Sequence, residues 1–267
     1  MKVGGKYVAQ ETRNSDAQSP AGGVSSTIDD MGRWLAMLLA DGTVDGKEIV
    51  KSDALLPAIT AQMISGPAQT PDARSGFYGY GFNVSTTPAG RTEFSHSGAF
   101  ALGAATNFVA IPSADVAIVA LTNAAPIGLP ETLTAEFADL VQLGEVKQDC
   151  RTLYKDAFAS MSKPAGSLVG QTPPPNPAPA QPNLAYAGTY NSDYWGPAVV
   201  TEAGGGLVLQ LGPKNQRYPL RHWEGDTFVF DLSSENASPG TASKAVFAGN
   251  TLTLEYFDAD GLGRFTR

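Results

Sequence analysis

One cysteine in 267 residues, Cys150, excludes an internal disulfide and offers no spacing for a cysteine metal site. Its expected place is that of a small buried apolar side chain in a helix. Histidine is nearly as scarce, with only His96 and His222. No stretch of about 18 apolar residues occurs, so no segment reads as a membrane-spanning helix. The first residues lack the charged start and apolar core of a secretory leader. A leader on a longer precursor would lie ahead of this segment, so the compartment is left open. Basic side chains are outnumbered, 18 Lys and Arg against 26 Asp and Glu, for a formal net charge of −8. With no basic stripe, that balance argues against nucleic acid or an anionic membrane surface as a partner.

What is present is enough for packed cores: 42% of the residues are hydrophobic. The clearest break in composition is residues 163–183, where Pro173-Pro174-Pro175-Asn176-Pro177 and Pro179 sit among Ala, Gln and Gly. Such a stretch favours extended polyproline backbone and reads as a semi-rigid linker. The expected organisation is a first domain at residues 1–162, the linker at 163–183 and a second domain at 184–267.

In the first domain, Thr27 followed by Asp30 makes a capping-box-like start. Ile28, Met31, Trp34, Leu35 and Leu38 then recur at helical spacing until Asp41-Gly42. Leu55, Ile59 and Met63 predict a second helix. Residues 91–96, 104–111 and 116–122 have strand lengths and predict an antiparallel meander. Pro130 opens a further helix with Leu133, Phe137, Leu140 and Val141 on one face. Another is expected around residues 146–161. The second domain reads as about eight short strands, with Gly249-Asn250 as a tight hairpin turn, and so as a small closed or nearly closed antiparallel barrel. The fold class expected for the whole is α+β followed by an all-β barrel.

Five blocks in order carry a family resemblance: Pro20-Ala21-Gly22-Gly23-Val24-Ser25-Ser26 with the helix after it, Tyr78-Gly79-Tyr80-Gly81-Phe82, Phe94-Ser95-His96-Ser97-Gly98, Ile111-Pro112, and the strand ending Leu121-Thr122-Asn123. Together they resemble the penicillin-binding-protein-like serine hydrolases, the group of class C β-lactamases, D-amino-acid peptidases and related esterases, over roughly residues 3–142. His96-Ser97-Gly98 stands where better-known members have Lys-Thr-Gly, which leans toward esterase or peptidase rather than true β-lactamase. Residues 184–267, through Tyr186-Ala187-Gly188-Thr189-Tyr190, Gly196-Pro197 and Leu220-Arg221-His222-Trp223, resemble the lipocalin-like domain often appended to these hydrolases.

The resemblance implies acyl transfer without a cofactor or metal. It assigns His96, Gly98 and Ala99 to the catalytic strand. His96 would orient substrate or hydrogen-bond a general-base tyrosine, Gly98 would admit the substrate backbone, and the Ala99 N–H would be one oxyanion donor. Ser97, Phe100 and Tyr80 are substrate-binding candidates. Ser97 faces away from His96 if the strand is regular, and core packing is as good a role for Phe100 and Tyr80 as an acyl pocket.

The family's nucleophile motif, Ser-x-x-Lys, and its Tyr-x-Asn or Ser-x-Asn motif should precede Pro20. Two look-alikes occur elsewhere, Ser160-Met161-Ser162-Lys163 and Ser234-Glu235-Asn236, and neither has the context the chemistry requires. Two function classes follow. One is the C-terminal part of a serine hydrolase acting on an ester, amide or peptide, inactive alone and active only with a nucleophile half on the same or a companion chain, with self-association or a companion N-terminal half as its expected partners. The other is a non-catalytic ligand- or peptide-binding module. The full-length family member would be periplasmic or secreted. His222, beside Trp223, reads as a packing residue.

Overall fold

The computed structural model describes residues 2–3, 6–8, 16–101, 103–234 and 236–267. They form two compact units, Met1–Met161 and Ser162–Arg267.

The first long helix, α1 (Ile28–Leu39), begins where the sequence places it. Thr27 is its N-cap: the hydroxyl oxygen accepts the Asp30 N–H at 3.2 Å, and the hydroxyl donates to Asp30 Oδ2 at 3.0 Å. Such a cap contributes about 1 kcal/mol. After Ala40 the chain turns through two left-handed positions, Asp41 (φ 53°) and Gly42 (φ 88°). Leu35, Met37 and Leu38 are buried, while Ile28, expected on the same face, is half exposed.

The predicted second helix is not there. Only Ser52–Leu55 is helical, because Pro57 has no N–H with which to extend the ladder. Met63 instead opens strand β1 (Met63–Gly66). The predicted three-strand meander is the centre of a larger sheet, in which β1 is followed by β2 (Gly76–Tyr78), β3 (Asn83–Thr86), β4 (Thr92–Phe100), β5 (Ala104–Ile111) and β6 (Val116–Thr122). Its spatial order is the chain order, antiparallel throughout. The Tyr78-to-Phe82 block is thus the last residue of β2 and the turn that leads into β3.

Side-chain alternation along β4 and β5 sorts this unit into layers. Phe94, Phe108 and Ala110 join Leu35, Leu38 and Leu55 in one core, with Trp34 and Phe82 packed against it. Trp34 meets Phe108 edge-on at 5.1 Å between ring centroids, and Phe82 meets Phe94 at 5.6 Å. Val109 and Ile111 pack on the other face with Ala138 of α2 (Leu129–Leu143). A Phe buried as Phe94 is contributes about 1.5–3 kcal/mol.

The orientation of α2 differs from expectation. Leu133, Leu140 and Val141 are 47%, 52% and 40% exposed, while Glu131, Thr134 and Asp139 are buried. The reason lies in the sheet face beneath, where polar side chains stand ready for polar partners. Asn107 Nδ2 donates to Thr134 Oγ1 at 2.5 Å, and Ser97 Oγ donates to Glu131 Oε1 at 2.5 Å. Helix α3 (Cys150–Ala159) follows, with Cys150 fully buried at its first position.

The second unit closes an eight-stranded antiparallel barrel from β7 (Gly188–Ser192), β8 (Gly196–Ala203), β9 (Gly206–Leu211), β10 (Gln216–Glu224), β11 (Thr227–Ser234), β12 (Ala237–Ala248), β13 (Thr251–Leu254) and β14 (Arg264–Thr266). Closure comes from β14 pairing both β13 and β7. Tyr190, Leu209, Phe230, Leu252, Leu254 and Phe265 fill the interior with almost no exposure. Two strand ends differ from the sequence reading: Asn183–Tyr186 is a helical turn, and Glu255–Phe257 is a 3₁₀ turn.

Residues 163–183 carry no strand, yet they are laced to the barrel. The Ala165 N–H donates to Thr241 Oγ1 at 3.0 Å, the Ala242 N–H to the Ala165 carbonyl at 3.0 Å, and the Gly225 N–H to the Ala178 carbonyl at 2.8 Å. Gly166 (φ 113°) permits this approach, since a Cβ there would stand 1.7 Å from the Ala242 carbonyl oxygen.

Candidate active-site strand

Strand β4 has two neighbours over only half its length. Residues Thr92 to Ser95 pair with β3, the last register being Asn83 to Ser95, whereas pairing with β5 runs on from Phe94 to Phe100. Among the described residues, the stretch from His96 to Phe100 therefore has a strand on one side alone. An unpaired strand edge presents backbone N–H and C=O groups that an extended acyl substrate can pair with, as an added strand does. This edge holds His96, Gly98, Ala99 and Phe100. Gly98 lies opposite Thr106 in the register, and a Cβ on it would come within 2.9 Å of Thr106 Oγ1. The absence of a side chain keeps that face of the strand low.

His96 is held at both ring nitrogens. Nδ1 lies 2.7 Å from the carbonyl oxygen of Ser97, and Nε2 lies 3.0 Å from the hydroxyl of Tyr78 at the end of β2. A carbonyl only accepts, so Nδ1 carries hydrogen and the neutral ring takes the Tyr78 O–H at Nε2, a tautomer assigned from the hydrogen-bond network. The two rings are 5.9 Å apart and steeply inclined. The imidazole is thus aimed and half buried, a polar group fixed beside an open strand edge.

The other candidates are distributed differently. Ser97 is on the opposite face of β4, its hydroxyl committed to Glu131, so the structure does not bring it together with His96. Tyr80 is 68% exposed in the turn after β2, where its N–H donates to the Ala58 carbonyl at 3.0 Å. Phe100 ends β4, half buried. In the sequence Tyr78 stands only within a motif, and Tyr80 is the candidate. Alternation in one continuous strand would put Tyr78 and Tyr80 on the same face, and it is the turn after Tyr78 that parts them.

Neither look-alike is built for nucleophilic chemistry. Ser160 follows the last residue of α3, exposed, with its hydroxyl donating to the Ala157 carbonyl at 3.3 Å, and Lys163 is exposed as well. Ser234 ends β11 and its hydroxyl oxygen accepts the Asn236 N–H at 3.3 Å, while Glu235 lies outside the described residues. His222 donates from Nε2 to the Gly225 carbonyl at 3.0 Å and packs edge-on against Phe228. That satisfies it as a packing residue. Among the described residues, no group of three or more His, Cys, Asp or Glu is placed to hold a metal ion, and no helix is long and apolar enough to cross a membrane.

Residues 172–260 match a domain of unknown function, DUF3471. A crystal structure of the C-terminal domain of penicillin-binding protein Rv0907 is 58% identical, covering 40% of this chain and 100% of that one, with a TM-score of 0.35. The octameric penicillin-binding protein homologue from Pyrococcus abyssi is 16% identical over 92% of this chain, with a TM-score of 0.38, and SurE with D-Leu is 19% identical over 87%, with a TM-score of 0.30. The chain spans about half the length of these last two, 49% and 48%. No curated protein matches it. Residues 2–142, more than half the chain and including the whole of β1 to β6, match the beta-lactamase family, and the chain belongs to that family.

Proposed function

We propose that this chain supplies the substrate-holding part of a serine-hydrolase active site that cleaves an ester or amide, small-molecule or peptide, through an acyl-enzyme, and that an N-terminal half, on the same or a companion chain, supplies the nucleophile. The observation that carries the reading is the open edge of β4 with His96 fixed beside it by Tyr78. In the reaction, a serine oxygen bonds to the substrate carbonyl carbon and its proton passes through a base to the leaving alcohol or amine as the old C–O or C–N bond breaks. Water then releases the acyl group. His96 orients the substrate, the Ala99 N–H stabilises the oxyanion, Gly98 lets the substrate backbone approach, and Phe100 and Tyr80 flank the acyl group.

The same reading accounts for two surfaces of the first unit. Edge strand β6, Val-Ala-Ile-Val-Ala-Leu-Thr, carries no charge to discourage pairing. Helix α2 turns Leu133, Leu140 and Val141 to solvent. Both are the surfaces a companion half, or a second copy of this chain, would cover.

The test is reconstitution. Purified chain, a companion fragment bearing Ser-x-x-Lys, and their mixture are assayed with an activated ester. Turnover is expected from the mixture alone, and His96→Ala in this chain lowers kcat/KM of the mixture by roughly ten- to a thousandfold, as when a positioned polar group leaves an acyl-transfer site. A mixture that forms and is indifferent to His96→Ala removes His96 from the site.

A further inference from the structure

On the face of the sheet away from His96, a polar cavity of about 350 Å³ lies between β3, β4 and β5 below and α2 above. It is lined by a single unit and has no part in the acyl-transfer edge. Its lining includes three carboxylates, Glu93, Glu131 and Asp139, together with Ser97, Asn107 and Tyr154, and none of its lining residues is Lys, Arg or His. Glu131 is 4% exposed. One of its oxygens, Oε1, accepts the Ser97 hydroxyl. The other, Oε2, is buried with no hydrogen-bond partner.

A buried carboxylate oxygen left unpaired carries a desolvation cost that a hydrogen-bonded cation offsets. The lining carries carboxylates and no cationic side chain. Burial pushes the Glu93 carboxyl up, against a hydrogen bond from Ser85. The Tyr154 phenol is raised first by burial, then by the nearby Cys150, Glu93 and Glu131. Asp139 receives a backbone N–H from Lys147 at 3.0 Å. The volume is at the lower end of the roughly 300–1,000 Å³ of ligand pockets, and no metal-ligating cluster occurs among the described residues. We propose that this cavity is a binding site for a small organic cation, a primary alkylammonium head whose N–H donors pair with Glu131 Oε2, with Asn107 and Glu93 lining the remaining space.

The head group has two sources, a free amine or a lysine side chain. Isothermal titration of the whole chain with n-butylammonium, with its neutral isostere n-butanol, and with Nα-acetyl-lysine methylamide tests the proposal and separates them. The expected result is saturable binding of an ammonium probe, no binding of n-butanol, and weakening by roughly thirtyfold or more in Glu131→Gln, the lower range for removing one partner of a buried charge pair. Tighter binding of the lysine derivative assigns the head to a side chain, and tighter binding of n-butylammonium to a free amine. Equal binding of n-butanol, no binding of either cation, or full affinity in Glu131→Gln overturns the site. The n-butanol comparison uses the unmodified chain and decides even if the variant does not fold.

Discussion

His96 illustrates how two hydrogen bonds define a residue's chemistry. The Ser97 carbonyl fixes hydrogen on Nδ1, and that leaves Nε2 to accept from Tyr78. Nitrogen-detected NMR of the histidine rings should therefore report the Nδ1–H tautomer for His96 at a pH where the ring is neutral. Tyr78→Phe should change the Nε2 resonance and leave His222 unaltered. A dominant Nε2–H tautomer in the unmodified chain would contradict the geometry. At this scale the sequence was informative in part. His96, Gly98, Ala99 and Phe100 share one strand, as the run of residues around them implies. Tyr78 was not legible, since its contact with His96 joins residues 18 apart across three strands. Glu131 carries no sequence signal of its own, and only packing shows that its carboxylate is buried.

Among the elements, those with strong local signals matched the sequence most closely. Helix α1 has its cap, its spacing and its stop written in consecutive residues, and β5 and β6 run between the bounds read from residues 104–111 and 116–122. The misread elements were those where distant packing decides. Met63 has helical spacing from Leu55 and Ile59, yet it pairs with Tyr78 in the sheet. The exposed apolar side of α2 cannot be read from periodicity, because periodicity finds a stripe and not which neighbour it meets. The proline-rich segment likewise reveals its contacts only in the fold.

Glu255 ties that segment to the barrel by accepting N–H groups from Ser167 and Lys244, both at 3.1 Å. Burial works to raise its carboxyl, but the hydrogen bonds from Ser167 and Lys244 outweigh it and hold it below the ordinary value. Asp226 is held low by the Tyr186 hydroxyl and then by Gln181, which belongs to the same segment. A depressed carboxylate stabilises the fold fully above its unfolded value, about 4, and loses that contribution as pH falls through the folded value. The melting temperature of the barrel unit should thus be level near neutrality and fall below about pH 4. Glu255→Gln should flatten part of that fall. Identical acid profiles for the two proteins would show that this carboxylate does not hold the segment.

For the whole molecule, the two units differ in how they treat their edges. The barrel closes on itself, and its apolar side chains face inward. The first unit leaves β6 as an outer strand of its sheet and three large apolar side chains of α2 in solvent. Expressed separately, residues 162–267 should be a monomer with a cooperative melt, and residues 1–161 should self-associate, with Leu133→Lys and Leu140→Lys together reducing the association. Sedimentation velocity over a range of concentrations measures both. A soluble, cooperatively melting monomer from residues 1–161 would mean that its sheet is complete as it stands, and would favour a stand-alone binding module. The overall plan, an α+β domain of the hydrolase family followed by a small barrel, was legible from the ordered motif blocks and from eight strand-length runs separated by turn residues. The strand pairing that closes the barrel was not, since closure joins its first strand to its last.

The central claim is that this chain holds a substrate-facing strand but no working nucleophile. Ser160 is exposed beyond the end of a helix and Ser97 is bound to a buried carboxylate. Incubation of the purified chain with a serine-directed phosphonate, followed by intact-mass and peptide-mapping mass spectrometry, tests this most directly. The mass is predicted to stay unchanged, with labelling only on the companion half when that is added. A stoichiometric adduct on this chain, at Ser160 above all, would contradict the account.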